Sequence, residues 1–231
     1  MKNRLLSALP IEDFGHISAH LAQVELERGR LIYEPGDPID SIYFPHDGAI
    51  SMMTLMQNGT AIHTAMIGRE GALGLNAAIA PRESMSRAVV QVPGKAWRIP
   101  ATVLNDVYQR SAALRDLIDR HNEALFGHAI QSVACNALHA VEARFCRWLL
   151  SCDDLVDNKT INVTQEFLAD MLGVQRTTVT AVARSLWNRR LIRYSRGVIY
   201  LLDRQGLEAL ACECYDSVRQ GYKRLLPALQ A

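Results

Sequence analysis

No cysteine occurs before Cys135, and between Gln175 and Leu202 there is neither aspartate nor glutamate. Nowhere does an apolar run approach the roughly 18 residues of a membrane span. From Ala101 to Cys152 proline and turn clusters are missing, and Gly127 is the only glycine. Each absence narrows the possibilities. The five cysteines (Cys135, Cys146, Cys152, Cys212, Cys214) are odd in number and set mostly in helical-looking apolar patterns, which argues against a secreted disulfide framework. Cys212 and Cys214 stand two apart with no Cys-x-x-Cys beside them, so neither a metal nor any cofactor is expected. The start of the chain carries Lys2, Arg4, Glu12 and Asp13 and nothing like a signal peptide, so a soluble cytoplasmic protein without a membrane partner is expected. His46 and His63 are isolated, whereas a metal-dependent β-roll enzyme would need a His-x-His pair with further ligands, so no enzymatic activity is expected.

What is present suggests two domains. The chain has 231 residues, 49% hydrophobic, enough for two cores. From Leu21 to Ile99, short apolar runs (SIYF, AISMMTLM, AIHTAMI, RAVVQV) are cut by EPGD, PHDG, QNG, IGREG and VPGK, the pattern of a small all-β sandwich or barrel. A short helix is expected before it, near Ile11 to Ala22. Gly68, Gly71 and Gly74 could expose backbone amides to a phosphate, or could simply serve turns.

The long proline-free stretch then reads as a helix. Leu114, Ile118, His121, Leu125, His128, Ser132 and Cys135 follow one another in steps of four and three, the a/d spacing of a coiled coil. A second stripe, Phe126, Ala129, Ile130, Val133 and Ala137, lies beside it. One side is expected to pack on the β domain and the other to meet a second copy; the first stripe is taken as the dimer interface.

Residues 162 to 193, NVTQEFLADMLGVQRTTVTAVARSLWNRRLIR, are the most informative. Thr164 can cap a helix carrying Phe167, Leu168, Met171 and Leu172, Gly173 suits a tight turn, and a second helix from Gln175 or Arg176 carries Val179, Val182 and Leu186 inward. Ala169, Gly173 and Val179, four and then six residues apart, have the spacing of a DNA-binding helix-turn-helix. Six arginines (Arg176, Arg184, Arg189, Arg190, Arg193, Arg196) make an acid-free face suited to a polyanion. LIRYSRGVIYLL, with its turn at Ser195 to Gly197, reads as a β-hairpin wing.

With these residues the chain resembles the CRP/FNR transcription regulators over nearly its full length; YEPGDPIDSIYFPHDGAIS is similar to the first strands and turns of their cyclic-nucleotide-binding jelly roll. The resemblance implies an α+β protein with an N-terminal jelly-roll sensor domain (1–104), a dimerisation helix (105–136) and a C-terminal winged helix-turn-helix domain with a helical extension (137–231). It implies a homodimer that binds double-stranded DNA, works with RNA polymerase and admits an unidentified small-molecule effector. The alternative is a sensor whose winged helix contacts a protein. DNA-binding residues are expected at Thr164, Gln165, Gln175, Arg176, Thr177, Thr178, Thr180, Ala181, Arg184 and Arg196. Members that read a G-T-G-A core place Arg, Glu and Arg where this chain has Arg176, Thr177 and Ala181.

The effector pocket is expected around Gly71, Ala72, Leu73, Ser86, Arg87, Ala129 and Ile130. In the cyclic-AMP-binding members a glutamate holds the ribose and an Arg-Ser pair holds the phosphate. Here the glutamate position is Ala72, the pair reads Ser86-Arg87, and the adenine-facing hydroxyl positions fall on Ala129 and Ile130. Cyclic AMP is therefore not expected to bind, while Arg87 and Arg69 remain available to another anion. Iron–sulfur members use an N-terminal cysteine cluster, which this chain does not have.

Overall fold

The computed structural model describes residues 3–155 and 160–226. The N-terminal helical region is split into α1 (Arg4–Ala8) and α2 (Ile11–Ser18). The buried Asn3 caps α1 by accepting the Leu6 N–H, and its amide donates to the carbonyls of Pro45 and Gly71. One side chain thus anchors the helix to a strand and a loop of the domain that follows.

That domain is an antiparallel roll of β1 (Ala22–Leu26), β2 (Leu31–Tyr33), β3 (Ser41–Leu55), β4 (Ala61–Ile67) and β5 (Arg87–Pro100), ordered β1-β5-β3-β4 with β2 also on β5. PHDG and VPGK, expected as turns, are irregularities inside the two long paired strands β3 and β5, whose register shifts between Pro45, Asp47, Ala49 and Ile50. There the backbones nearly touch. A Cβ on Gly48 would stand 2.6 Å from the Val92 carbonyl oxygen, and one on Gly94 would stand 2.3 Å from that of Asp47. Glycine serves close approach at this crossing instead of reversing the chain.

Beyond the roll come α3 (Ala101–Arg110) and α4 (Ala112–Leu138). The single helix expected over 105–136 is interrupted at Ser111, whose backbone is extended and whose hydroxyl accepts the Leu114 N–H and donates to the Asp13 carboxylate. The rest of the chain forms α5 (Val141–Leu155), β6 (Thr160–Asn162), α6 (Gln165–Leu172), α7 (Arg176–Asn188), β7 (Ile192–Ser195), β8 (Val198–Leu201), α8 (Arg204–Leu210) and α9 (Cys214–Leu225).

The two stripes of α4 face opposite ways. Leu114, Ile118, His121, His128 and Ser132 are buried against their own chain, and Leu125 packs partly against the same core. Within the single chain this stripe faces inward. The other stripe faces outward: Phe126 is 68% exposed, Ile130 54%, Val133 68% and the neighbouring Leu138 79%. On its inward side α4 is covered by the roll and by α9, which lies along it and seats Tyr222 edge-on against His128 at 6.0 Å. The segment after the wing therefore covers the long helix of its own chain; of the expectation for Asp203 to Ala231, residues 227–231 lie outside the described residues.

Two cores result. The first joins the roll to α1, α3, α4 and α9; the second is built on Phe145, Trp148, Leu149, Leu168, Val179 and Leu186 and takes in Ala49, Met66 and Val92 of the roll. Each large apolar side chain buried in this way contributes about 1.5 to 3 kcal/mol, enough to hold the C-terminal module against the roll.

Candidate nucleic-acid interface

The helix-turn-helix forms as its sequence implies. The Thr164 hydroxyl accepts the Phe167 N–H at 3.2 Å and starts α6. Gly173 ends it in the left-handed region at φ 64°, with the Val174 N–H returning to the Ala169 carbonyl. Leu168, Val179 and Leu186 are fully buried between the helices, and small Ala169 allows their approach. This leaves Arg176, Thr177, Ala181 and Arg184 on the outer face of α7, with Gln175 exposed just before it. Gln175 caps no amide with its side chain, though its carbonyl accepts the Thr178 N–H at 2.9 Å, so the start of α7 carries no side-chain cap.

Two expected contact residues do other work as well. Thr178 and Thr180 are half-buried, and the Thr180 hydroxyl lies 3.2 Å from Gln165 Oε1 and 3.0 Å from the Arg176 carbonyl. It ties Gln165, itself half-buried, to the second helix. The wing is a two-residue hairpin whose central residues, Arg196 and Gly197, both have positive φ (50° and 77°). A non-glycine residue there costs about 1 to 2 kcal/mol, and Arg196 is held exposed at the tip.

The arginines divide. Arg176, Arg184 and Arg196 are exposed on α7 and the wing. Arg193 stacks over the Tyr200 ring at 4.2 Å, and Arg189 lies 3.6 Å from Glu142 of α5. The acid-free stretch of sequence is thus not acid-free in space, because α5 brings a carboxylate to its far end.

The expected effector pocket differs more. A cavity of about 200 Å³ lies inside the roll, lined by Tyr33, Met52, Ile67, Ala72, Leu73 and Ser86 among others, and by His121, Asn122 and Leu125 of α4. Ala129 and Ile130 do not line it, since they lie one turn and more beyond Leu125, on the outward side. Arg87 is likewise outside it; its guanidinium makes paired hydrogen bonds of 2.9 and 2.6 Å to the Glu34 carboxylate. Among the described residues no lysine or arginine lines the cavity.

The glycine-rich segment before it is no phosphate cradle. The Gly68 N–H donates to the Glu70 carboxylate, the Gly71 N–H to the Gly68 carbonyl, and the Ala72 N–H to His121 Nε2 at 3.3 Å. A Cβ on Gly71 would stand 2.7 Å from the same His121 nitrogen, so the glycine makes room for the α4 imidazole. Burial pushes the His121 pKa down to about 4, opposed more weakly by a hydrogen bond with Asn122. The ring is neutral at pH 7 and accepts at Nε2. His121, read from sequence as an interface residue, instead closes the cavity; the bareness of Gly71 was the one available hint.

A helix-turn-helix with a wing, joined through a long helix to a β-roll domain, defines a DNA-binding transcription regulator. Residues 143–210 match the Crp-like helix-turn-helix domain and residues 23–111 the cyclic nucleotide-binding domain, together more than half of the chain. The global nitrogen regulator of Synechococcus elongatus is 22% identical over 177 residues, covering 73% of this chain and 80% of that protein. Two solved structures share the fold. FixK2 from Bradyrhizobium japonicum has TM-score 0.70 and 17% identity over 83% of this chain and 98% of its own. A transcriptional regulator of the CRP/FNR family from Thermus thermophilus has TM-score 0.65 and 22% identity over 82% and 98%. The chain belongs to the CRP/FNR family of transcription regulators. Among the described residues no helix is long and apolar enough to cross a membrane.

Proposed function

We propose that the chain works in the cytoplasm as a homodimer that reads an inverted-repeat promoter site and acts on RNA polymerase, without control by cyclic AMP. The observation that carries the dimer is the outward stripe of Phe126, Ile130, Val133 and Leu138 on α4, which leaves four large apolar side chains in water in a single chain. A second copy of the same helix is its occupant. Two-fold pairing sets one stripe against itself, and a two-fold dimer presents two recognition helices to two inverted half-sites.

On that reading Arg176 and Thr177 meet base edges and Gln175 lies beside them. Thr164, Gln165, Arg184 and Arg196 meet phosphates, while Thr178, Thr180 and Ala181 shape the surface between.

Cyclic AMP lacks its partners in the cavity. Ala72 offers no carboxylate to a ribose hydroxyl, Arg87 is engaged with Glu34, and among the described residues the lining holds no cation for the phosphate. A hydrogen bond to a charged group contributes about 1.5 to 3 kcal/mol, so the loss of two weakens binding on the order of a thousandfold. An uncharged, largely apolar effector suits the lining better. In a mobility-shift titration of promoter fragments at fixed salt, the protein should retard specific DNA equally with and without cyclic AMP. A shift that appears only with the nucleotide would refute the reading.

A further inference from the structure

Cys135 lies in the last turn of α4, and His139, four residues on, is its C-cap. Cys212 lies in the link after α8, and Cys214 is the first residue of α9. The fold brings the two pairs together across 77 residues of chain, with Cys135 Sγ 3.5 Å from Cys212 Sγ and Cys214 Sγ 3.4 Å from His139 Nδ1. All four ligand atoms lie within 4.8 Å of one another. The three thiols are buried in a cluster of their own, apart from both cores, so filling a core does not account for them.

The spacing suits one metal ion. Zinc held at about 2.3 Å from sulfur and about 2.0 Å from nitrogen sets neighbouring tetrahedral ligand atoms roughly 3.5 to 3.8 Å apart. A multi-iron cluster interposes several iron and sulfide atoms and needs a wider cage. The surroundings suit it as well. His139 Nε2 lies 3.2 Å from Glu213 Oε1, leaving Nδ1 to face the thiols in the carboxylate–histidine–metal arrangement. The Gln131 amide donates to Cys214 Sγ at 3.0 Å, and the buried Arg144 guanidinium acts electrostatically on Cys135 and Cys212. Three thiolates and a neutral imidazole around a dication leave one net negative charge, which these donors offset.

We propose that Cys135, His139, Cys212 and Cys214 bind a single zinc ion tetrahedrally at the hinge between α4 and α5. The ion closes a loop of chain that contains the whole helix-turn-helix and wing. It fixes the end of the long helix to the start of α9. The absence of a Cys-x-x-Cys pattern pointed away from a metal because the two ligand pairs meet only in the folded chain.

The test uses the full chain purified under reducing conditions without chelator. About one equivalent of zinc per chain is expected by elemental analysis, lost in the Cys212→Ser, Cys214→Ser double variant. Because that variant could misfold, Co²⁺ is also titrated into the metal-stripped wild-type protein. Intense visible bands and a thiolate-to-cobalt charge-transfer band, both abolished by competing Zn²⁺, are expected, and the charge-transfer band should intensify in His139→Cys. Weak octahedral cobalt bands would overturn the proposal, as would iron with labile sulfide, or a wild-type protein that holds no zinc and instead carries a Cys135–Cys212 disulfide.

Discussion

The Ile130→Glu variant should sediment as a monomer at micromolar concentration and bind its specific DNA on the order of a hundredfold to ten-thousandfold more weakly. Ile130 is more than half exposed in the single chain, so the substitution leaves the monomer's core intact, but in a two-fold dimer it places two carboxylates in one apolar seam. Each chain then meets one half-site alone and loses the effective concentration that linkage supplies, a factor of about 10² to 10⁴. Analytical ultracentrifugation alongside a mobility shift checks both parts. A variant that remains a dimer would move the interface off this stripe.

Arg176→Ala should cost about 1 to 3 kcal/mol on the specific site, roughly a 5- to 150-fold loss of affinity, with little change on random DNA. Arg176 opens α7, is exposed, and lies at a helix start without a side-chain cap, which suits a phosphate, so its longer side chain can reach past the backbone to a base. Arg184→Ala and Arg196→Ala should instead weaken both DNAs and lower the salt dependence of binding. Competition titrations at matched salt separate the two behaviours. Equal losses with Arg176→Ala would make it a phosphate contact.

Legibility from sequence followed the range of the interactions. The helix-turn-helix was readable because its determinants are local: a cap at Thr164, a left-handed turn at Gly173, and apolar residues at helical spacing that close on Val179. The roll was readable as a class, yet PHDG and VPGK were misread, because a glycine needed for close strand approach looks in sequence like a glycine needed for a turn. The stripes of α4 could not be ordered from sequence. Both have helical period, and the inward one carries His121, His128 and Ser132, which hydrophobicity alone would turn outward. What decides their burial is docking on distant parts of the chain, the roll at Gly71 for His121 and α9, more than eighty residues later, for His128. The cavity residues on α4 were placed one turn or more too far along for a similar reason: Gly71 fixes where the helix touches the roll, and it does so at His121.

Footprinting on a binding site selected from random-sequence DNA tests the central claim most directly. A dimer with its recognition helices at α7 should enrich an inverted repeat and protect two half-sites whose centres lie about one helical turn, roughly 34 Å, apart on one face of the duplex. A single unrepeated protected patch, or a pool that enriches no sequence at all, would contradict it.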